Sequence, residues 1–238
     1  SAGVRGCKMI LKVEFPSGYE AEQNYILRCL LDDFLGIKYE AAPGPTRSVR
    51  IFDGTGRELE ISADLFNKPR ATWLTHGCLP REPISWWDIS GFPVKVAKKR
   101  LPVLYGKPGL VQNANRVRLD VDIFGGCFFF LARLEEVIHC KRDDHDRFSA
   151  DQSLSARYGL LSRPIVDEYV EVLWSCLRHL WPGLRRRPSS FRQNLTHDVD
   201  LPRFSLSRTL TRDVLRRDFA TGTSNLKTWL SVKFGKIA

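Results

Sequence analysis

The amino-acid sequence predicts an α/β fold, with α+β character in the first half of the chain. Segments in which apolar and polar residues alternate, as they do in half-buried strands, recur through that half. Segments with an apolar stripe at helical spacing follow the first of these strands and occur again before residue 182. The chain has 238 residues, 43% of them hydrophobic, which is enough for one large core or two smaller ones.

The first predicted elements are a strand at 9–15 and a helix that ends near Gly36. Ser17-Gly18 interrupts the pattern between them, and Gly36 can adopt the positive φ that often closes a helix. We expect the helix to bury a wide apolar face. Its predicted members are Ala21, Tyr25, Leu27, Leu30, Leu31, Phe34 and Leu35.

Three short strands are predicted next, at 37–42, 48–53 and 57–62. The second and third should pair as a hairpin, because the Asp-Gly-Thr-Gly sequence at 53–56 supplies turn residues between them. This arrangement gives the first half of the chain its α+β character.

Residues 66–107 are predicted to be irregular, because prolines recur through them. Trp73, Trp86 and Trp87 in this segment have two interpretations. They attach a long loop to the core, or they present aromatic surfaces on which sugar rings stack. His76 has no second histidine near it in the sequence, so we do not expect it to bind a metal.

A further strand is predicted around Leu119, and a turn at Gly125-Gly126 is expected to lead into an apolar helix over 127–139. Asp120 and Asp122 form a D-x-D pair at the end of this strand. Glycosyltransferases use such a pair to hold a metal and a nucleotide-sugar diphosphate, so an enzyme of that type is one alternative. A structural role is the other interpretation, because the pair precedes a helix rich in phenylalanine.

The strongest helical pattern follows Pro164, with Asp167 and Glu168 in its first turn and an apolar stripe to Leu180. Pro182-Gly183 is expected to end this helix.

The domain organisation is inferred from this helix and from the arginine-rich sequence after it. We predict a domain over 9–184, a basic linker over 185–192 and the start of a second domain over 193–238. Residues 1–8 precede the only methionine and are interpreted as an upstream extension or a cloning remnant.

Composition limits the environment and the partners. The net charge of +10 favours anionic partners such as acidic glycans or nucleic acid. The six cysteines form no C-x-x-C pair, which is typical of free thiols in a reducing compartment. No apolar run of about 18 residues and no signal peptide are found, so we expect a cytoplasmic protein without a membrane span.

Asp198 and Asp200 are the candidate catalytic residues. If residues 191–198 form a strand, both carboxylates lie at its C-terminal end, where α/β proteins collect ligands and catalytic groups. Two nearby carboxylates can divide the chemistry, one holding a cation while the other takes a proton from water.

Five stretches, in a fixed order along the chain, carry a resemblance to a known family. They are Asp122-Ile123-Phe124-Gly125 with the helix after it, Arg147-Phe148, Arg163 to Tyr169, Trp181-Pro182-Gly183-Leu184, and Thr196-His197-Asp198-Val199-Asp200. Together they resemble bacterial proteins in which an uncharacterised α/β domain precedes a polysaccharide-deacetylase domain.

The last stretch is similar to the first motif of deacetylases of the carbohydrate-esterase-family-4 type. The resemblance implies that Asp198 is the catalytic base and that Asp200 binds a divalent metal such as zinc. It also implies that residues 193–238 form the first strand and helices of an incomplete (β/α) barrel. The implied reaction is hydrolysis of N-acyl groups on sugars of bacterial surface polysaccharides, with a polysaccharide or N-acetylated sugar as substrate.

The sequence departs from this family in its histidines, because no two of the five are four residues apart, as the metal site requires. A catalytic metal needs about three protein ligands, and a (β/α) barrel needs about 250 residues. We therefore expect this chain alone to be inactive, to bind metal weakly and to depend on the remainder of the deacetylase domain. The alternative is a non-catalytic module that binds an anionic glycan or nucleic acid. Of these two partners, we do not expect nucleic acid.

Overall fold

The computed structural model describes residues 9–139, 141–188, 190–196 and the helical residues Thr223, Leu226, Lys227 and Leu230. The chain divides into a unit of residues 1–188 and a unit of residues 189–238. In the second unit, residues 190–196 have no regular structure, so 191–196 do not form the predicted strand. In the part of the chain that is described, no helix is long and apolar enough to cross a membrane. The described helices and strands do not form a (β/α) barrel.

The first unit is mixed α/β and is built on a six-stranded sheet with the order β2-β1-β3-β4-β8-β7. The neighbours β1 and β2 are parallel, as are β4 and β8, and the other neighbouring pairs are antiparallel. The predicted hairpin is confirmed as the β3–β4 pair. The strands are β1 (Leu11–Pro16), β2 (Tyr39–Gly44), β3 (Ser48–Phe52), β4 (Glu58–Ser62), β7 (Gly106–Gln112) and β8 (Arg116–Val121).

A separate two-stranded sheet corrects the prediction that residues 66–107 are irregular throughout. Antiparallel strands β5 (Ser85–Asp88) and β6 (Arg100–Val103) lie within this segment. Each strand has only four residues, and Pro102 in β6 interrupts the local pattern. The pairing that stabilises them joins residues distant in sequence, so no local periodicity indicates it.

The first helix is confirmed, and its predicted apolar face is buried in part, at Leu27, Leu30, Leu31 and Leu35. Helix α1 (Glu20–Leu27) continues as a π-helical segment (Arg28–Phe34), and Gly36 follows with a φ of 69°. Ala21 and Tyr25 are exposed because α1 buries a neighbouring face, that of Gln23 and Ile26. Phe34 is exposed after the change to a π-helix, which bonds residue i to i+5 and turns later side chains away from their α-helical positions.

The predicted turn at Gly125-Gly126 is wrong, because both glycines lie inside helix α2 (Ile123–Leu131). A Cβ on Gly126 would lie 2.6 Å from a ring carbon of Tyr169, so the glycine allows α2 to approach the next long helix closely. The predicted helix over 127–139 is also broken at Arg133, whose φ is 52°, and resumes as α3 (Leu134–Ile138).

The remaining helices are α4 (Leu154–Arg157) and α5 (Ile165–Leu180), and α5 confirms the pattern predicted after Pro164. Helix α5 packs on one face of the sheet against β4 and β8, where alternate strand residues such as Leu59, Ile61 and Leu119 are fully buried, and α2 packs against α5. The opposite face is polar. Its strands are linked by ion pairs of Arg50 with Glu14 and Glu58, and of Arg116 with Glu58.

Candidate anion-binding cleft

A cleft of about 950 Å³ lies on the polar side of the sheet, where the parallel strands β4 and β8 end next to each other. Ser62 at the end of β4, and Arg118 and Asp120 of β8, line the sheet side of it. Loops over 64–72 and 77–85 and the β6–β7 turn contribute its other walls. Ligands of open α/β sheets collect at this end of parallel strands.

The cleft carries an excess of positive charge. Five cationic side chains line it against two carboxylates, those of Asp64 and Asp120. Such a surface attracts anions and concentrates them locally. The cations are Arg47, Lys68, Arg81, Arg118 and Lys107.

Two of these cations are engaged within the protein. Arg118 donates from Nε to Asp120 Oδ1 at 3.0 Å, and Lys68 donates from Nζ to the Gly77 carbonyl at 2.8 Å. Both contacts fix the geometry of the cleft, because one orders the sheet side and the other attaches the loop over 77–85 to the loop over 64–72.

Arg47, Arg81 and Lys107 are the cations available for a ligand. All three are exposed, and within the described residues none makes an ion pair or a side-chain hydrogen bond. An arginine in this state can form two parallel hydrogen bonds to a carboxylate, a phosphate or a sulfate group. Arg47 and Arg81 lie in separate loops and Lys107 lies in β7, so a ligand that contacts all three must extend across the cleft.

Tyr105 and Gly106 hold the wall nearest β8 in place. The buried hydroxyl of Tyr105 donates to the Cys78 carbonyl at 2.7 Å, and burial raises the pKa of Tyr105, which keeps this donor protonated. Gly106 has a φ of 78°, and a Cβ there would lie 2.2 Å from the Asp120 carbonyl oxygen. Glycine is therefore required for the chain to turn beside β8.

The two acids of the D-x-D pair are placed in different environments. Asp120 lines the cleft, whereas Asp122 is fully buried as the N-cap of α2. Its Oδ1 accepts from the Gly125 N–H at 2.7 Å and its Oδ2 from the Leu65 N–H at 2.9 Å. Because both oxygens already accept backbone hydrogen bonds, the geometry favours a structural role for Asp122 over metal binding.

The aromatic residues of segment 66–107 differ in their surroundings. Trp73 packs against the Tyr19 ring at a centroid distance of 4.1 Å, and Trp87 packs against Phe92 at 5.5 Å. The Trp73–Tyr19 contact, and the packing of the partly buried Trp73 and Trp87 against the hydrophobic core, favour the interpretation that they attach the segment to the core. Trp86 is half-buried and lines a separate cavity.

His76 does have a histidine neighbour in space, since its ring centroid lies 5.1 Å from that of His139. Burial, followed by the charge of His76, lowers the pKa of His139. In the described part of the chain, no group of three or more His, Cys, Asp and Glu side chains is placed to hold a metal ion. Asp198 and Asp200, the predicted base and metal ligand, lie outside the described residues.

Sequence reasoning missed the residues of the cleft. Arg47, Arg81 and Lys107 are scattered over 60 positions of the chain, and none belongs to a motif. Only the net charge of +10 indicated that such a surface exists, and it gave no location.

The fold is a two-layer α/β domain with a cationic cleft at the ends of two parallel strands. Residues 11–182 match a family of unknown function (DUF7033), and the chain belongs to that family. A search of curated proteins found no significant match, and a search of solved structures found none.

Proposed function

We propose that residues 9–184 form a non-catalytic module that binds an anionic glycan in the cationic cleft, within a polysaccharide-deacetylase-like protein. The proposal that the cleft binds an anion is supported by three exposed cations that line it. These are Arg47, Arg81 and Lys107, whose side chains have no partner among the described residues. The resemblance of Thr196-His197-Asp198-Val199-Asp200 to a deacetylase motif supports the glycan and the catalytic partner domain.

The chemistry of the cleft fits a carboxylated or sulfated polysaccharide better than a neutral one. A neutral sugar would leave the three cations without counter-charges, whereas an anionic polymer supplies several along its length. Exposed ion pairs contribute little individually, about 0.2–1 kcal/mol each, so the affinity should come from several contacts made together.

Binding to polygalacturonate, dextran and duplex DNA tests this function. We expect polygalacturonate to bind with an affinity that falls as salt rises, and dextran not to bind. The double variant Arg81→Glu/Lys107→Glu should weaken polygalacturonate binding on the order of tenfold. Lys12→Glu is the matched control, because Lys12 is exposed but does not line the cleft.

Equal losses in the double variant and in a control variant with two charges reversed elsewhere would show that only net charge matters. Tighter binding to duplex DNA than to polygalacturonate, lost in the same double variant, would replace the glycan with nucleic acid.

The catalytic part of the proposal concerns Asp198 and Asp200 in a protein that carries a whole deacetylase domain. Asp198 would take the proton of the attacking water, and Asp200 would bind the metal. Asp198→Asn should lower acetate release from an N-acetylated oligosaccharide by about 10²–10⁴-fold while bound metal is retained. Asp200→Ala should lose metal and activity together, and full activity in Asp198→Asn would refute the assignment of the base.

A further inference from the structure

A second cavity, of about 200 Å³, lies between the β5–β6 sheet and the loop before α5. It shares no lining residue with the cationic cleft. Trp86 and Tyr158 supply aromatic surface, and Lys98, Arg100 and Arg163 supply positive charge. No carboxylate lines this cavity in the described part of the chain.

Arg163 is the most informative residue of the cavity because its side chain is only 4% exposed. Its Nη2 donates to Glu168 Oε2 at 2.6 Å, and its Nη1 and Nη2 both donate to the Arg100 carbonyl at 3.1 Å. Its Nε–H has no acceptor among the described residues. A guanidinium is always protonated, so this buried donor needs an acceptor from outside the described residues, such as an oxygen of a ligand or of water.

The aromatic walls are held in position by their own contacts. Tyr158 accepts at its hydroxyl oxygen from the Ile84 N–H at 3.3 Å and donates to Glu82 Oε2 at 3.2 Å. Trp86 is fixed in β5 opposite Pro102, and the Arg100 guanidinium lies 5.7 Å from its ring centroid. The cavity therefore does not need to rearrange its rings to accept a ligand, which lowers the entropic cost of binding.

The carboxylates nearest to this cavity already have partners. Glu168 is paired with Arg163, and its Oε1 accepts from the Ala97 N–H at 3.0 Å. Glu82 is paired with Arg157. The exposed ammonium of Lys98 has no ion pair in the described residues, so it remains available to an anion.

We propose that this cavity is a subsite for a single carboxylate-bearing sugar ring, of the uronic-acid class. The apolar face of the ring lies on Trp86, and the carboxylate accepts from Arg163 Nε–H with Lys98 as a second cation. The choice of a glycan rests on the proposed function, but the site is a different one from the cleft. A neutral hexose fits the same aromatic surface, but it supplies no charge to Lys98 and Arg163.

The test is calorimetric binding of monomeric glucuronate, with glucose as the neutral control. Glucuronate should bind at least about tenfold more tightly than glucose. Arg163→Lys keeps a cation beside Glu168 but removes the Nε–H, and it should weaken glucuronate binding by at least about tenfold. Trp86→Leu should weaken binding of both sugars, whereas the matched Trp87→Leu should leave both unchanged, because Trp87 packs against Phe92 instead.

Lys98→Ala gives a readout that does not depend on folding of a buried site, because Lys98 is exposed. It should weaken glucuronate binding and leave glucose unchanged. Equal affinities for the two sugars, or glucuronate binding unchanged in Arg163→Lys and Lys98→Ala, would overturn the proposal. The cleft variant Arg81→Glu/Lys107→Glu should leave glucuronate affinity intact, so failure of the cleft and failure of this subsite give different results.

Discussion

At the scale of single residues, Asp122 connects three parts of the fold through one side chain. It follows β8, caps α2 through Gly125 and holds the chain after β4 through the Leu65 N–H. Burial raises the pKa of Asp122 to about 7, and the two backbone hydrogen bonds oppose that shift only in part. The stability of the region where Asp122 joins β8, α2 and the chain after β4 should therefore depend on pH.

The stability of the first unit should depend on the protonation of Asp122. Because its folded pKa of about 7 exceeds an unfolded value of about 3.9, the folded state binds more protons between these values, and stability falls as pH rises. Asp122→Asn does not titrate. The unfolding free energy of the wild type relative to this variant should fall by on the order of 1–4 kcal/mol between about pH 4 and 7.

Urea unfolding of the two proteins at a series of pH values measures this difference, and the other titrating groups cancel. Asn also loses one acceptor toward the Leu65 or Gly125 N–H, which adds an offset that is independent of pH. A difference that grows with rising pH would show instead that the folded pKa lies below the unfolded one.

Gly126 gives a second prediction at this scale. Gly126→Ala places a Cβ 2.6 Å from Tyr169, whose ring is fully buried and whose hydroxyl donates to the Pro102 carbonyl. Because that ring cannot move freely, the substitution should destabilise the protein by about 1–3 kcal/mol. Gly183→Ala is the matched control, since nothing lies within 4 Å of its added Cβ, and thermal unfolding of both variants checks the difference.

At the scale of elements, the start of α5 is attached to the β5–β6 segment through the ion pair of Arg163 and Glu168. The side chains of the two residues are 4% and 2% exposed. Removing one partner leaves an uncompensated buried charge, so Arg163→Met and Glu168→Leu should each cost about 3–5 kcal/mol.

The double variant Arg163→Met/Glu168→Leu should recover a large part of these losses, because no charge is then left buried. A double-mutant cycle on denaturant unfolding measures the coupling. Additive losses in the cycle would show that the two residues act through their separate contacts with Arg100 and Ala97.

Elements whose signals are local were predictable from sequence. The α5 stripe, the β3–β4 turn and the positive φ of Gly36 each depend on residues close together in the chain. Gly125 and Gly126 were interpreted as a turn because their roles depend on residues far away in the chain, since Gly126 packs against Tyr169 and Gly125 against Leu65. The strands β5 and β6 were missed because they pair with each other across the irregular residues 89–99, so no tight-turn sequence joins them.

The cleft was predictable only as a property of the whole composition. Its cations come from two strands, β7 and β8, and from separate loops, and they meet only in the folded sheet, which no single segment encodes. Asp198 and Asp200 show the reverse case. Their motif is recognisable in the sequence. The roles assigned to them stay predictions, because both residues lie outside the described residues.

At the scale of the whole molecule, the arginines after α5 should differ in how quickly trypsin cuts after them. The chain around Arg186 is held by two contacts, because Arg186 pairs with Glu171 and the Arg187 N–H donates to the Leu35 carbonyl at 2.7 Å. Trypsin does not readily cut after Arg187, because Pro188 follows it. Among these sites, limited trypsin digestion should therefore cut after the exposed Arg192 before it cuts after Arg186.

Glu171→Ala should increase cleavage after Arg186 and leave cleavage after Arg192 unchanged. Mass spectrometry of early time points separates the two products. Cleavage after Arg186 that comes first in the wild type would show that its contacts with the first unit do not protect it.

After β4 the chain leaves the six-stranded sheet. It returns first as the edge strand β7 and then as β8, which is the parallel neighbour of β4. Between residues 63 and 105 it supplies most walls of the cleft, together with Trp86, Lys98 and Arg100 of the second cavity. The buried residues of β4 and β8 lie outside this excursion. The excursion also contributes buried core residues such as Leu65 and Tyr105, but Arg81 and Lys98 are exposed. Under the proposed function, substitutions at such exposed positions should change ligand preference at little expense to folding, and diverging lineages of the family should differ in ligand preference before they differ in architecture.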